Sequence, residues 1–162
     1  MATEKEIKQA NAAYKNLCRM LDNMGWNYNK DADERLIKCS ATGDDLPIDI
    51  TIDIHEENSL IIFESKIFQM PEDRFVDGTI AVNVLNASII NGTFVIDFNT
   101  NEISFRLVSS FVDSLIGQEA YEYILGCSCV TIDKFNHVLP KYASGEMSLK
   151  ELYDYAQSCW DN

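Results

Sequence analysis

Between Thr93 and Leu107 the chain alternates apolar and polar residues twice over, and this pattern restricts the fold more than any other stretch. Phe94, Ile96 and Phe98 interleave with Val95 and Asp97, and Ile103, Phe105 and Leu107 interleave with Ser104 and Arg106. A period of two marks strands buried on one face. With Thr100-Asn101 as the turn, Phe98 faces Ile103, Ile96 faces Phe105 and Phe94 faces Leu107. All six apolar side chains then fall on one side. A slip of one residue would turn either set to water, so the pairing is strongly specified.

The same period recurs upstream. Ile48, Ile50, Ile52 and Ile54 alternate with Asp49, Thr51 and Asp53, and Leu60 to Ser65 follow after the polar turn His55-Glu56-Glu57-Asn58. That turn predicts Ile52 opposite Ile61 and Ile50 opposite Phe63. Arg35 to Ala41 reads as a weaker first strand, and residues 26–34 read as irregular. Leu60, Ile62, Val95 and Val108 are left on the opposite sheet face, where apolar residues need a cover.

Helices flank these strands. Thr3 and Glu6 form a capping box, and Ile7, Ala10, Tyr14, Leu17, Leu21 and Met24 make one apolar stripe closed by Gly25. The opposite side carries Lys5, Lys8, Lys15, Arg19 and Asp22; a solvated face explains them, and an acidic partner is the sharper alternative. Met70-Pro71-Glu72-Asp73 opens a second helix with Ile80, Val84, Ala87 and Ser88 on one side, stopped by Asn91-Gly92. Gln118 to Tyr142 reads as a long helix with interruptions at Gly126 or Thr131. Ser148 and Glu151 cap a short last one. The expected architecture is α+β: a twisted antiparallel sheet of about five strands, helices on one face, order α-β-β-β-α-β-β-α-α. Without repeats or linkers, residues 1–162 read as one domain.

Composition narrows the function. Thirteen Lys and Arg against 26 Asp and Glu leave a net charge of −13, which repels phosphate backbones and anionic lipid. Nucleic-acid and membrane partners are therefore not expected. No run reaches the roughly 18 apolar residues of a membrane span, and the first residues lack the apolar core of a secretory signal. Cys18, Cys39, Cys127, Cys129 and Cys159 are scattered and odd in number, which suits reduced thiols in a cytoplasm.

No catalytic or metal-binding constellation is legible. His55-Glu56-Glu57 offers ligand types, but three successive residues do not converge on one ion. Cys127-Ser128-Cys129 places two thiols about 200° apart on a helix. His137 lies one turn past Asp133, a spacing that allows an ion pair. Asp49, Asp53 and Asp97 are acidic but read as exposed, where a carboxylate keeps its ordinary acidity. Asn91-Gly92 and Leu125-Gly126 are isolated glycines, far from a phosphate loop. Neither catalytic, cofactor nor metal residues are assigned.

The segment Ile90-Asn91-Gly92-Thr93-Phe94-Val95-Ile96-Asp97-Phe98 through Ile103-Ser104-Phe105-Arg106-Leu107, followed by a long helix, Gly145 and a short helix, resembles the YbjN family of bacterial proteins. The likeness is strongest over residues 83–155, and Asp97, Arg106 and the apolar hairpin positions carry it. It implies the type III secretion chaperone-like fold and the family's label of sensory transduction regulator. Chaperones of this fold are small, acidic, cytoplasmic and dimeric, and hold a client segment across the sheet and first helix. The resemblance supplies no active site. The expected function is a non-catalytic protein-binding module, chaperone-like or regulatory, with a protein or client-peptide partner, a homodimeric state and no cofactor. Its candidate partner or dimer surface is Leu60, Ile62, Val95, Val108 and Arg106. A small-molecule sensor or enzyme using the acidic sheet face, or a structural adaptor, are the alternatives.

Overall fold

The computed structural model describes residues 2–160. Helix α1 (Glu4–Asn23) leads into strands β1 (Tyr28–Asp31), β2 (Leu36–Thr42), β3 (Pro47–His55) and β4 (Leu60–Gln69). A short 3-10 turn (Glu72–Arg74) precedes α2 (Phe75–Ser88); then come β5 (Thr93–Ile96), β6 (Glu102–Ser110), α3 (Gln118–Asn136), α4 (Val138–Ser144) and α5 (Leu149–Ser158). The six strands form one antiparallel sheet in the order β1-β2-β3-β4-β6-β5. It stays open.

Inward residues of the strands and the apolar helix stripes meet in one core. Ile50, Ile52, Phe63, Phe94 and Phe105 come from the sheet, Leu17 and Leu21 from α1, and Tyr121, Leu125 and Phe135 from α3. Phe94 sits at its centre, edge-on to Phe105 at 5.2 Å and to Phe135 at 5.5 Å between ring centroids. The capping box of Thr3 and Glu6 forms, as does that of Ser148 and Glu151. Gly25, just past the end of α1, takes the left-handed φ of 73° that such an end favours.

The structure corrects the sequence expectation in five places. A sixth strand exists: Tyr28–Asp31 pairs with β2 in a segment expected to be irregular. It is a short, polar edge strand, which gives no alternating signal, and the Tyr28 hydroxyl ties it to α1 by donating to Asp22 at 2.9 Å. The β3–β4 loop falls one residue later than expected, so Ile52 opposes Phe63 and Ile54 opposes Ile61. Ser59, at φ 51°, closes that loop, and its carbonyl is held by the Phe111 N–H at 2.9 Å.

The β5–β6 hairpin also shifts by two: Phe94 opposes Phe105 and Ile96 opposes Ile103. The Asp97 carboxylate accepts from the Asn99 and Thr100 N–H groups, both at 2.8 Å, drawing Asp97 and Phe98 into the turn. Phe98 is consequently 79% exposed. Both slips are by two residues, so every strand residue keeps its face.

Helix α2 buries Gly78, Ala81, Val82 and Leu85 rather than the side carrying Ile80 and Ala87. At Gly78 a Cβ would lie 2.8 Å from both Ile96 Cδ1 and Met70 Cγ, so the bare glycine sets which side packs. The long helix breaks at His137, between α3 and α4, and runs unbroken through Gly126 and Thr131.

Candidate functional site

The helices cover the face carrying Ile50, Phe63 and Phe105, and the alternation of each strand leaves a second face to solvent. On it Ile62 of β4 opposes Val108 of β6, and Ile62 also opposes Asp53 of β3, which in turn opposes Leu36 of β2. Leu60 lies two residues back on β4, opposite Ser110. Leu60, Ile62 and Val108 thus form a contiguous apolar patch, with Val108 46% exposed and Leu60 and Ile62 half-buried.

One rung further along, Glu64 opposes Arg106. Arg106 Nη2 lies 3.2 and 3.4 Å from the two Glu64 carboxylate oxygens, and the Ser104 hydroxyl donates to Glu64 at 2.8 Å. Beyond this pair a shallow groove of about 380 Å³ runs between Glu64, Lys66, Val95, Asp97, Glu102 and Arg106. Lys66 Nζ reaches Glu102 at 2.9 Å, and that carboxylate holds the ammonium above its usual range. The turn's N–H groups hold the Asp97 carboxyl below its usual range.

All five expected surface residues therefore share this face. Leu60, Ile62 and Val108 cluster; Arg106 separates them from Val95, which lines the groove instead. Leu36, Glu64 and Lys66 belong to the same surface and were not assigned from sequence. Leu36 was hidden because β2 alternates weakly, and Glu64 and Lys66 because only strand pairing aligns them with Arg106 and Glu102.

The residues considered for chemistry do not assemble. His55 Nε2 lies 3.0 Å from Asp53 at the end of β3. The expected His137–Asp133 pair does not form: Asp133 accepts from the Asp44 N–H at 2.8 Å. His137 faces Asp45 instead, its Nδ1 3.4 Å from the carboxylate and outside hydrogen-bond geometry, with Nε2 3.5 Å from the Tyr155 hydroxyl. Burial pushes the Cys39 thiol up to about 12, and burial also raises Cys129, so both stay protonated and poorly nucleophilic. Among the described residues no group of three or more His, Cys, Asp or Glu is placed to hold a metal ion, and no helix is long and apolar enough to cross a membrane.

Two solved structures share this arrangement of sheet and helices. The E. coli protein YbjN, described as a candidate transcription regulator, superposes with a TM-score of 0.61 over 82% of this chain and 92% of its own, at 13% identity. A chain of the ExsC–ExsE complex superposes with a TM-score of 0.56 over 78% of this chain and 92% of its own, also at 13% identity. The fold is YbjN-like, of the type III secretion chaperone-like kind. The expected architecture thus stands, with six strands in place of about five. No protein-family model matches the sequence, and no curated protein matches it. At such identity the YbjN likeness reaches the backbone arrangement, and function has to be argued from this chain's own residues.

Proposed function

We propose that this chain is a non-catalytic protein-binding module, chaperone-like or regulatory, that takes a protein segment on its open sheet face. One observation carries the reading: a six-stranded sheet leaves Leu60, Ile62 and Val108 uncovered in a contiguous patch beside the Glu64–Arg106 pair. Apolar residues clustered on a strand face, rimmed by ion pairs, suit a partner that excludes water from the centre and leaves the rim wet. The neighbouring structure of the ExsC–ExsE complex supports protein binding by this fold. The five free thiols suit a reducing cytoplasm.

A small-molecule sensor or an enzyme needs a concave pocket with converging polar groups. The groove here is shallow, and four of its charged groups form two pairs, Glu64 with Arg106 and Lys66 with Glu102, which favours the binding module. A structural adaptor would use the same face without releasing its partner.

The test is a random peptide library displayed on phage and selected on the purified chain, each binder being retested on Val108→Ser and Ile62→Asp. Binders that lose most of their affinity for both variants are expected. A collection indifferent to both substitutions, or no binder at all, would overturn the reading.

A further inference from the structure

We propose that the occupant of the open face is a segment of another protein that carries a basic side chain about four residues, in extended conformation, from its apolar anchor. This rests on the protein-binding reading and adds the partner's charge and spacing. The anchor position is the Ile62–Val108 pair. Four residues along β6 from Val108 lies Ser104, which lines the groove and opposes Val95. At about 3.4 Å per strand residue the two positions are about 14 Å apart.

The groove holds three carboxylates, Glu64, Asp97 and Glu102, against two cations, Lys66 and Arg106. Each cation already has a carboxylate partner: Arg106 meets Glu64 at 3.2 Å and Lys66 meets Glu102 at 2.9 Å. Asp97 is the surplus charge; it accepts hydrogen bonds from its own turn, which keep it ionised. Across the sheet Asp49 accepts from the Ser40 hydroxyl at 2.5 Å and Asp53 sits beside His55, whereas Lys38 is the one further outward cation. Asp31 opposes Leu36 at the β1 edge of the same face, so among the described residues six outward carboxylates stand against three cations. In the groove an incoming ammonium or guanidinium meets Asp97, which has no cation partner, and an incoming carboxylate meets Lys66 and Arg106, which are already engaged. A second copy of this chain brings the same acidic face and a net charge of −13, so like charge opposes self-association through this face, which is the competing outcome of the test.

The test titrates two synthetic peptides of identical apolar sequence against the full chain by fluorescence anisotropy, one with Lys and the other with Glu four residues from a Leu anchor. The Lys peptide is expected to bind about tenfold more tightly at low salt, with the gap closing as ionic strength rises. Val108→Ser weakens both peptides, and Asp97→Asn, which retains the turn's acceptor oxygen, narrows the Lys preference. Equal affinities, or a tighter Glu peptide, with Val108→Ser still weakening both, overturn the charge assignment and leave the protein-binding reading standing. Binding by neither peptide, or binding that ignores Val108→Ser, overturns both. A light-scattering mass of twice 18.4 kDa that falls to 18.4 kDa in Val108→Ser makes a second copy the occupant and overturns the basic partner.

Discussion

The carboxamide of Asn86 holds both backbone polar groups of Phe94: Nδ2 donates to its carbonyl at 3.0 Å, and Oδ1 accepts its N–H at 2.7 Å. In the antiparallel alternation Asp97 bonds to Glu102 of β6, so Phe94, three residues earlier, turns its N–H and C=O away from β6. Such outward groups on an edge strand invite pairing with another chain. Asn86 fills them from α2, so the β5 edge is partly closed and the broad outer face is left as the larger accessible surface.

Asn86→Ala leaves the Phe94 N–H without a partner and its carbonyl with only the Thr93 hydroxyl at 3.3 Å, and is expected to lower stability by about 1–3 kcal/mol. Urea unfolding measures it. A midpoint equal to wild type would mean that water replaces the carboxamide without loss.

Gly92 and Gly25 separate two costs of adding a methyl group. Gly92 has φ 81° and its Cβ would meet the buried Phe105 ring, whereas Gly25 has φ 73° with nothing within 4 Å. Gly25→Ala is expected to cost about 1 kcal/mol, from the left-handed backbone alone. Gly92→Ala adds an overpacking cost of about 1–3 kcal/mol. Thermal unfolding of the pair checks this, and equal losses would show that Phe105 moves aside freely.

What was legible in the sequence follows from what repeats locally. Ile48 to Ile54 and Phe94 to Leu107 alternate, and Thr3–Glu6 and Ser148–Glu151 cap, so most elements, their faces and their order are readable from short windows. Strand β1 is not, because a four-residue polar edge has no buried side to write into its sequence. Neither hairpin register is fixed to better than two residues by the pattern, because a side chain (Asp97) and a left-handed Ser59 set the loops, while period-two patterning is blind to a shift of two. For the candidate face the same logic holds: Leu60, Ile62 and Val108 show as apolar residues on the wrong side. The groove needs the pairing of β4, β6 and β5, which no single strand encodes.

Stability should fall on the acid side through a few identifiable carboxylates. Glu6 is held below its ordinary 4.5 by the Thr3 N–H and hydroxyl, Glu151 by the Ser148 hydroxyl and N–H, and Asp97 below its ordinary 3.8 by the Thr100 and Asn99 N–H groups. A carboxylate whose folded pKa is depressed stabilises fully above its unfolded value and loses that contribution as pH falls through the folded one. Urea midpoints are therefore expected to stay level above about pH 5 and to decline below 4.5. Asp97→Asn removes one of these titrating groups, so its decline is shallower. An unchanged slope would show that Asp97 contributes nothing to the acid sensitivity.

Phe98 and Phe94 test the hairpin register directly. Phe94 is 1% exposed between Phe105 and Phe135, whereas Phe98 is 79% exposed and touches Phe75 edge-on at 5.3 Å between centroids. Phe94→Ala empties the centre of the core and is expected to cost about 3–5 kcal/mol. Phe98→Ala loses one solvent-facing ring contact, about 1 kcal/mol or less. Had the turn lain at Thr100-Asn101, Phe98 would pair inward with Ile103 and both substitutions would be severe. Similar large losses in urea unfolding would therefore restore that register. The expected gap of several-fold between them instead leaves Asp97 as the residue that ends β5.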